Sequence, residues 1–165
     1  MYSIRLDGDT RRLLRRFKQL SEINKKAINA TLANATQSST VERFKTEKAP
    51  DGKKWRKSIR AERDGGTTLV NKSGIRNSIK SVSDASGFAV GTNKIYAATH
   101  QLGDTRRITI KAKTSKGLIF QMDGRWMRKR QVTVRVNIPA RPFLGLSDDD
   151  MLEIKGTLED YFAED

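Results

Sequence analysis

The sequence has no cysteine, which excludes disulfide staples and thiolate metal sites. Its one histidine, His100, is too few to build a histidine-ligated metal centre. Of only three prolines, two, Pro139 and Pro142, fall in one short segment. No stretch approaches the roughly 18 apolar residues of a membrane span. The opening MYSIRLDGD lacks the apolar run of a signal peptide. The expectation is a soluble protein, with no membrane contact, made in a reducing cytoplasm. Catalytic signatures are also missing: there is no G-x-S-x-G, no P-loop and no H-E-x-x-H. The chain therefore reads as a non-enzyme without cofactor or metal. Asp148, Asp149 and Asp150 are consecutive, and neighbouring helical residues point in different directions, so they read as a helix start rather than a metal cluster.

What the chain has is charge. The 165 residues carry +14, unevenly spread. Residues 146–165 hold eight acids and one base, net −7, which leaves +21 on the rest. A basic body of this kind fits a nucleic-acid backbone. Opposite charges at the two ends also fit copies packing head to tail, or docking on an acidic protein. A third reading folds the acidic end back on its own basic body. With 36% hydrophobic residues, the chain is long enough for one domain with a modest core.

Apolar periodicity sets out the elements. Tyr2, Ile4 and Leu6 alternate as a short strand, and Asp9 caps a helix with Leu13, Phe17 and Leu20 on one face. Residues 22–48 lack proline and glycine and read as a long helix, with Ser21 as its cap. Its middle, NATLANATQSST, is poor in helix formers and suits close helix–helix packing, or a helix that orders on assembly. Pro50-Asp51-Gly52 is a tight turn, anchored on the core by Trp55. Residues 56–70, with Gly65-Gly66, read as a flexible loop. A short helix follows, capped by Asn71 or Ser73, with Leu69, Ile75 and Ile79 inward, and then a hairpin that turns near Asp84–Gly87. Asn93 caps a helix whose Ile95, Ala98 and Leu102 share a face and which stops at Gly103. His100 there gains from the helix dipole. Glu22, Glu42 and Glu47, scattered among bases, read as surface ion pairs.

From residue 105 to 137 the chain is strand-rich and basic, and Val132, Val134 and Val136 alternate onto one buried face. Within it, DGRWMRKRQ surrounds Trp126 with Arg125, Arg128, Lys129 and Arg130. Bases with an aromatic suit a phosphate backbone with stacked bases. In the segment NIPARPFLGLSDDD, the prolines fix an extended strap, Phe143 and Leu144 pin it, and Ser147 with the aspartates starts a last helix. Arg141, on a stiffened backbone, calls for a fixed ionic partner.

Four segments together resemble the phage virion morphogenesis family, the tail completion proteins of Mu-like phages and prophages: RFKTEKAPDGKKW (43–55), LVNKSGIRNSI (69–79), YAATHQLG (96–103) and IPARPFLGLSDDD (138–150). The last is the most specific, and 105–136 resembles a variable insertion. The resemblance implies a structural protein of the virion tail or neck that turns over no substrate. It implies a homo-oligomeric ring formed on assembly, with other tail or head–tail connector proteins as partners. Arg141, Phe143, Asp148, Asp149 and Asp150 become partner-interface candidates, and the basic arm faces a neighbouring subunit or makes non-specific contact with DNA. The alternative is a basic nucleic-acid-binding accessory protein. The expected fold is one α+β domain over 1–165. An antiparallel sheet of about four or five strands packs on the N-terminal and C-terminal helices, and a basic β-hairpin arm extends from it.

Overall fold

A computed structural model describes Leu14, Arg15, Lys18 and residues 23–71 and 74–163. The expected first strand, its turn and cap at Asp9, the helical face of Leu13, Phe17 and Leu20, the caps at Ser21 and Ser73 and the pairing of Glu22 lie outside the described residues; Asn71 caps no helix, since the 3-10 turn there starts from Ile75 without a side-chain cap. The chain is α+β. Helix α1 (Lys25–Thr46) is followed by a short α2 (Ile59–Asp64), a 3-10 turn at Arg76–Ser78 and the hairpin β1 (Lys80–Ser83) and β2 (Phe88–Gly91). Then come α3 (Ala97–Leu102), strands β3 (Asp104–Lys111), β4 (Leu118–Met122), β5 (Arg125–Lys129) and β6 (Gln131–Ile138), and helix α4 (Asp148–Ala163). The strands pair as three antiparallel ribbons, β1 with β2, β3 with β6 and β4 with β5, rather than as one sheet.

Helix α1 starts at Asn24, whose side chain accepts from the Ala27 N–H, and stops at Glu47 in the left-handed region. Its polar middle packs on the β1–β2 ribbon and α4. Thr36 and Thr40 are buried, and their small side chains let the elements approach. Polar groups on the same helix are used rather than wasted. Gln37 Nε2 donates to the Ile79 carbonyl at 3.1 Å, and Gln37 Oε1 accepts from Ser81 Oγ at 2.7 Å. Asn29 reaches the Asp84 carbonyl at 2.7 Å. The segment that reads as poor helix is therefore a hydrogen-bonded seam to a ribbon.

The core gathers Phe44, Ala49, Trp55, Ile75, Ile79, Ala97 and Phe143. Phe44 meets Trp55 edge-on at 5.5 Å and Phe143 at 5.2 Å between ring centroids. Ile75 and Ile79 face inward as expected, but from a 3-10 turn instead of a helix. The expected loop at 56–70 contains α2, because Ser58 caps it through the Ala61 N–H. Helix α3 turns the other way from expectation. Ala97 is its buried residue, while Ile95 and Leu102 stand in solvent.

Beyond α3 the chain forms two successive antiparallel ribbons, the second carried on the end of the first. Eight residue pairs join β3 to β6 and five join β4 to β5, with 112–117 as extra residues on one side. At ~3.3 Å per pair the β3–β6 ribbon alone is roughly 26 Å long, against about 33 Å for α1 at ~1.5 Å per residue. No residue of 104–138 is buried. Val132, Val134 and Val136 do share a face with Ile108 and Ile110, but it is not a buried one: Ile108, Val132 and Val136 are half-buried, and Ile110 and Val134 are exposed.

Candidate assembly surface

The strap at 138–150 is held from every side. His100 O accepts from the Arg141 N–H at 2.7 Å. Gln101 accepts from the N–H groups of Phe143 and Leu144, each at 3.0 Å, and donates to the Leu144 carbonyl at 2.9 Å. Trp55 Nε1 donates to the Pro142 carbonyl at 2.9 Å. From α1, Arg43 donates to the carbonyls of Phe143 at 2.9 Å and Gly145 at 2.7 Å. Proline segments leave carbonyls without sheet partners. Here side chains from α1, α3 and the Trp55 turn supply the missing donors. The four motif segments of the sequence thus meet around this strap, with Ile75 and Ile79 beside Phe143 in the core.

Arg43 also forms a buried ion pair with Asp150. Asp150 accepts from the Ser147 N–H at 2.7 Å, and Ser147 Oγ accepts from the Asp150 N–H at 3.2 Å. This reciprocal cap starts α4. Burial would raise the Asp150 carboxyl, but hydrogen bonds from Ser147 and Ser39 and the charge of Arg43 hold it below its ordinary value. One carboxylate therefore joins helix α1, the strap and helix α4. The cap is legible in the sequence and Arg43 is not, because its partner lies 107 positions further along the chain.

Arg141 corrects an expectation. Among the described residues its guanidinium meets no acid; it donates to the carbonyls of Arg56 at 2.8 Å and Lys57 at 3.3 Å. Burial, and then Arg56 nearby, lower its pKa. Burial, and then Arg141, also lower that of His100, which disfavours the charged imidazole that the helix dipole would favour. His100 Nδ1 is buried and meets no hydrogen-bond partner among the described residues. Glu47 is likewise no simple surface pair: its carboxylate accepts from the Thr68 N–H and stays below its ordinary pKa despite burial. Glu42 does pair with Lys45, at 2.6 Å in solvent.

Of the five interface candidates in the strap, Arg141, Phe143 and Asp150 are buried inside the chain and hold the fold. Asp148 and Asp149 remain exposed. The arm candidates Arg125, Trp126, Arg128, Lys129 and Arg130 are all exposed at the far end of the ribbon, Trp126 at 73%. Alternation places Trp126 and Arg128 on one face and Arg125 and Lys129 on the other. Nearer the root, Arg107 lies directly opposite Arg135. Like charges in that register repel. Among the described residues the arm's bases have one ion-pair partner, Asp104 beside Arg106 at 3.2 Å. The described residues contain no group of three His, Cys, Asp or Glu able to hold a metal, and no helix long and apolar enough to cross a membrane.

This build, a body closed on a strap with an uncovered basic ribbon, can be set beside known proteins. The phage virion morphogenesis family matches residues 8–163, and the chain belongs to that family. It is similar to the Mu-like prophage FluMu G protein 2 of Haemophilus influenzae, with 32% identity over 132 residues, which cover 80% of this chain and 74% of the relative. No solved structure matches. The chain's role is thus in building the phage particle, among other virion proteins.

Proposed function

We propose that the chain completes the phage tail, at its end or at the head–tail junction, through protein–protein contacts and as a ring of copies. It works in the tail or neck of the virion and turns over no substrate. The observation that carries this reading is the arm: a ribbon over 104–138 without one buried residue, on a body whose own core is closed. Exposed apolar and like-charged surface of that extent is a burden on a lone monomer and a resource in an assembly. The family and the Mu-like prophage relative support the same reading. The test is deletion of the gene from an inducible prophage, with the lysate viewed by electron microscopy. Filled heads and separate tails, joined again when the chain is supplied in trans, are expected. Intact virions at undiminished titre would overturn it.

A further inference from the structure

The two ends of the charge asymmetry are two exposed surfaces. The arm, 104–138, has ten bases and two acids, net +8. At its far end one face of the β4–β5 ribbon shows Ile119, Trp126 and Arg128, with Ile119 opposite Arg128 in register. Ile119 is 59% exposed and Trp126 73%. Helix α4 presents the counterpart. Asp150, Ile154 and Leu158 lie at helical spacing toward the body, buried or half-buried. On the opposite side Leu152, 69% exposed, sits among Asp148, Asp149, Glu153, Glu159 and Asp160. One surface is apolar with bases, the other apolar with acids. Among the described residues no ion pair joins them within the chain; Arg106 pairs on its own strand and Lys155 with Glu159 on its own helix.

We propose that the arm tip of one copy, through Ile119, Trp126 and Arg128, docks on the outward face of α4 of a second copy. The contact deepens the proposed ring and rests on that reading for its place in the virion. Tip and helix are different surfaces, so the contact is head to tail, and each copy keeps one free tip and one free helix face until a closed ring uses both. Tryptophan and arginine dominate the energetics of such interfaces. The acids opposite relieve the repulsion among the arm's unpaired bases, and the attraction weakens with salt.

Two variants of the full chain test this by sedimentation velocity at low salt. One, Trp126→Ala with Arg128→Glu, spoils the tip; the other, Glu153→Lys with Asp160→Lys, spoils the helix. All four side chains are exposed, so thermal unfolding should match the parent. The parent is expected to associate as concentration rises, and each variant to lose at least tenfold in association. Mixing the two variants should restore a one-to-one complex that grows no further, because the sound tip of one meets the sound helix of the other. A parent that stays monomeric at ~100 μM, variants that associate like the parent, or a mixture that stays monomeric would each overturn the proposal. So would a tip variant whose association is intact but whose binding to short duplex DNA is lost. Failure here with unjoined heads and tails in the deletion lysate removes the docking and leaves the tail-completion reading. Success here with intact virions in that lysate does the reverse.

Discussion

The strap and the arm are neighbours in sequence and opposites in construction. The strap has few residues, and nearly every backbone group it exposes to the interior has a named partner: His100, Gln101, Trp55 and Arg43 between them serve five of its residues. The arm has many residues, and its order comes from its own cross-strand pairs, including Thr105 with Asn137 at 3.0 Å and Thr109 with Thr133 at 2.8 Å. Rigidity in the first comes from tertiary contacts and in the second from local pairing. The lesson is that the four motif segments read from the sequence mark the scaffold. The proposed contact lies mostly outside them, at the arm tip and along the outward side of α4.

That contrast can be broken at the strap. Phe143→Ala should cost about 3–5 kcal/mol, because the ring is fully buried against Phe44; the denaturation midpoint reads it. Arg43→Ala should cost a similar amount, roughly 3–5 kcal/mol, since it strands a buried carboxylate and two carbonyls. A double-mutant cycle with Asp150→Asn should show strong coupling between the two. An additive cycle would mean that Arg43 acts through the carbonyls alone.

A smaller effect sharpens the boundary. Gly103 links α3 to the arm where both pass the strap, with φ 77° and ψ 165°, a conformation nearly confined to glycine. A Cβ there would lie 2.9 Å from the Ala140 nitrogen and 3.0 Å from the Ile138 oxygen. Gly103→Ala should cost about 1–3 kcal/mol, with hydrogen exchange rising at the strap and the root of the arm.

The pH dependence separates the regions further. Asp150 ionises below its ordinary value of 3.8 when folded, so its contribution is present above that value and fades as pH falls through the lowered one. Asp150→Asn should be less stable at neutral pH and should flatten the acid limb of the stability curve. An unchanged limb would place the acid sensitivity elsewhere. Smallest of all, neutralising Arg125, Arg128 and Arg130 together should shift stability by no more than ~0.5 kcal/mol, because the side chains are exposed. A large drop in melting temperature would show the arm folded into the body's stability after all.

Much of the fold is legible in sequence. The hairpin at 80–91, the strands of the arm, the turn at Pro50-Asp51-Gly52 and the cap at Ser147 all follow from local chemistry. What local chemistry does not carry is direction and distance. Ile95 and Leu102 have the right spacing for an inward face, yet α3 turns its small Ala97 inward because the Gln101 clamp fixes its rotation against the strap. Arg141 looks like half of an ion pair, and the carbonyls that hold it lie some 85 positions earlier in the chain. Arg43 and Asp150 are 107 positions apart. Of the site, the basic tip and the aspartates exposed at the start of α4 are visible from charge alone. The apolar Ile119 and Leu152 among those charges are not, because exposure is set by packing.

The root of the arm has one more consequence. Asp104 and Ile138 are direct cross-strand partners, so the whole arm leaves and rejoins the body across a single pair, ~5 Å wide. Any hairpin of matching register can be spliced there without moving the strap. The arm is in effect a cantilever: its length and its tip are set by its own cross-strand pairs and not by the mount beneath.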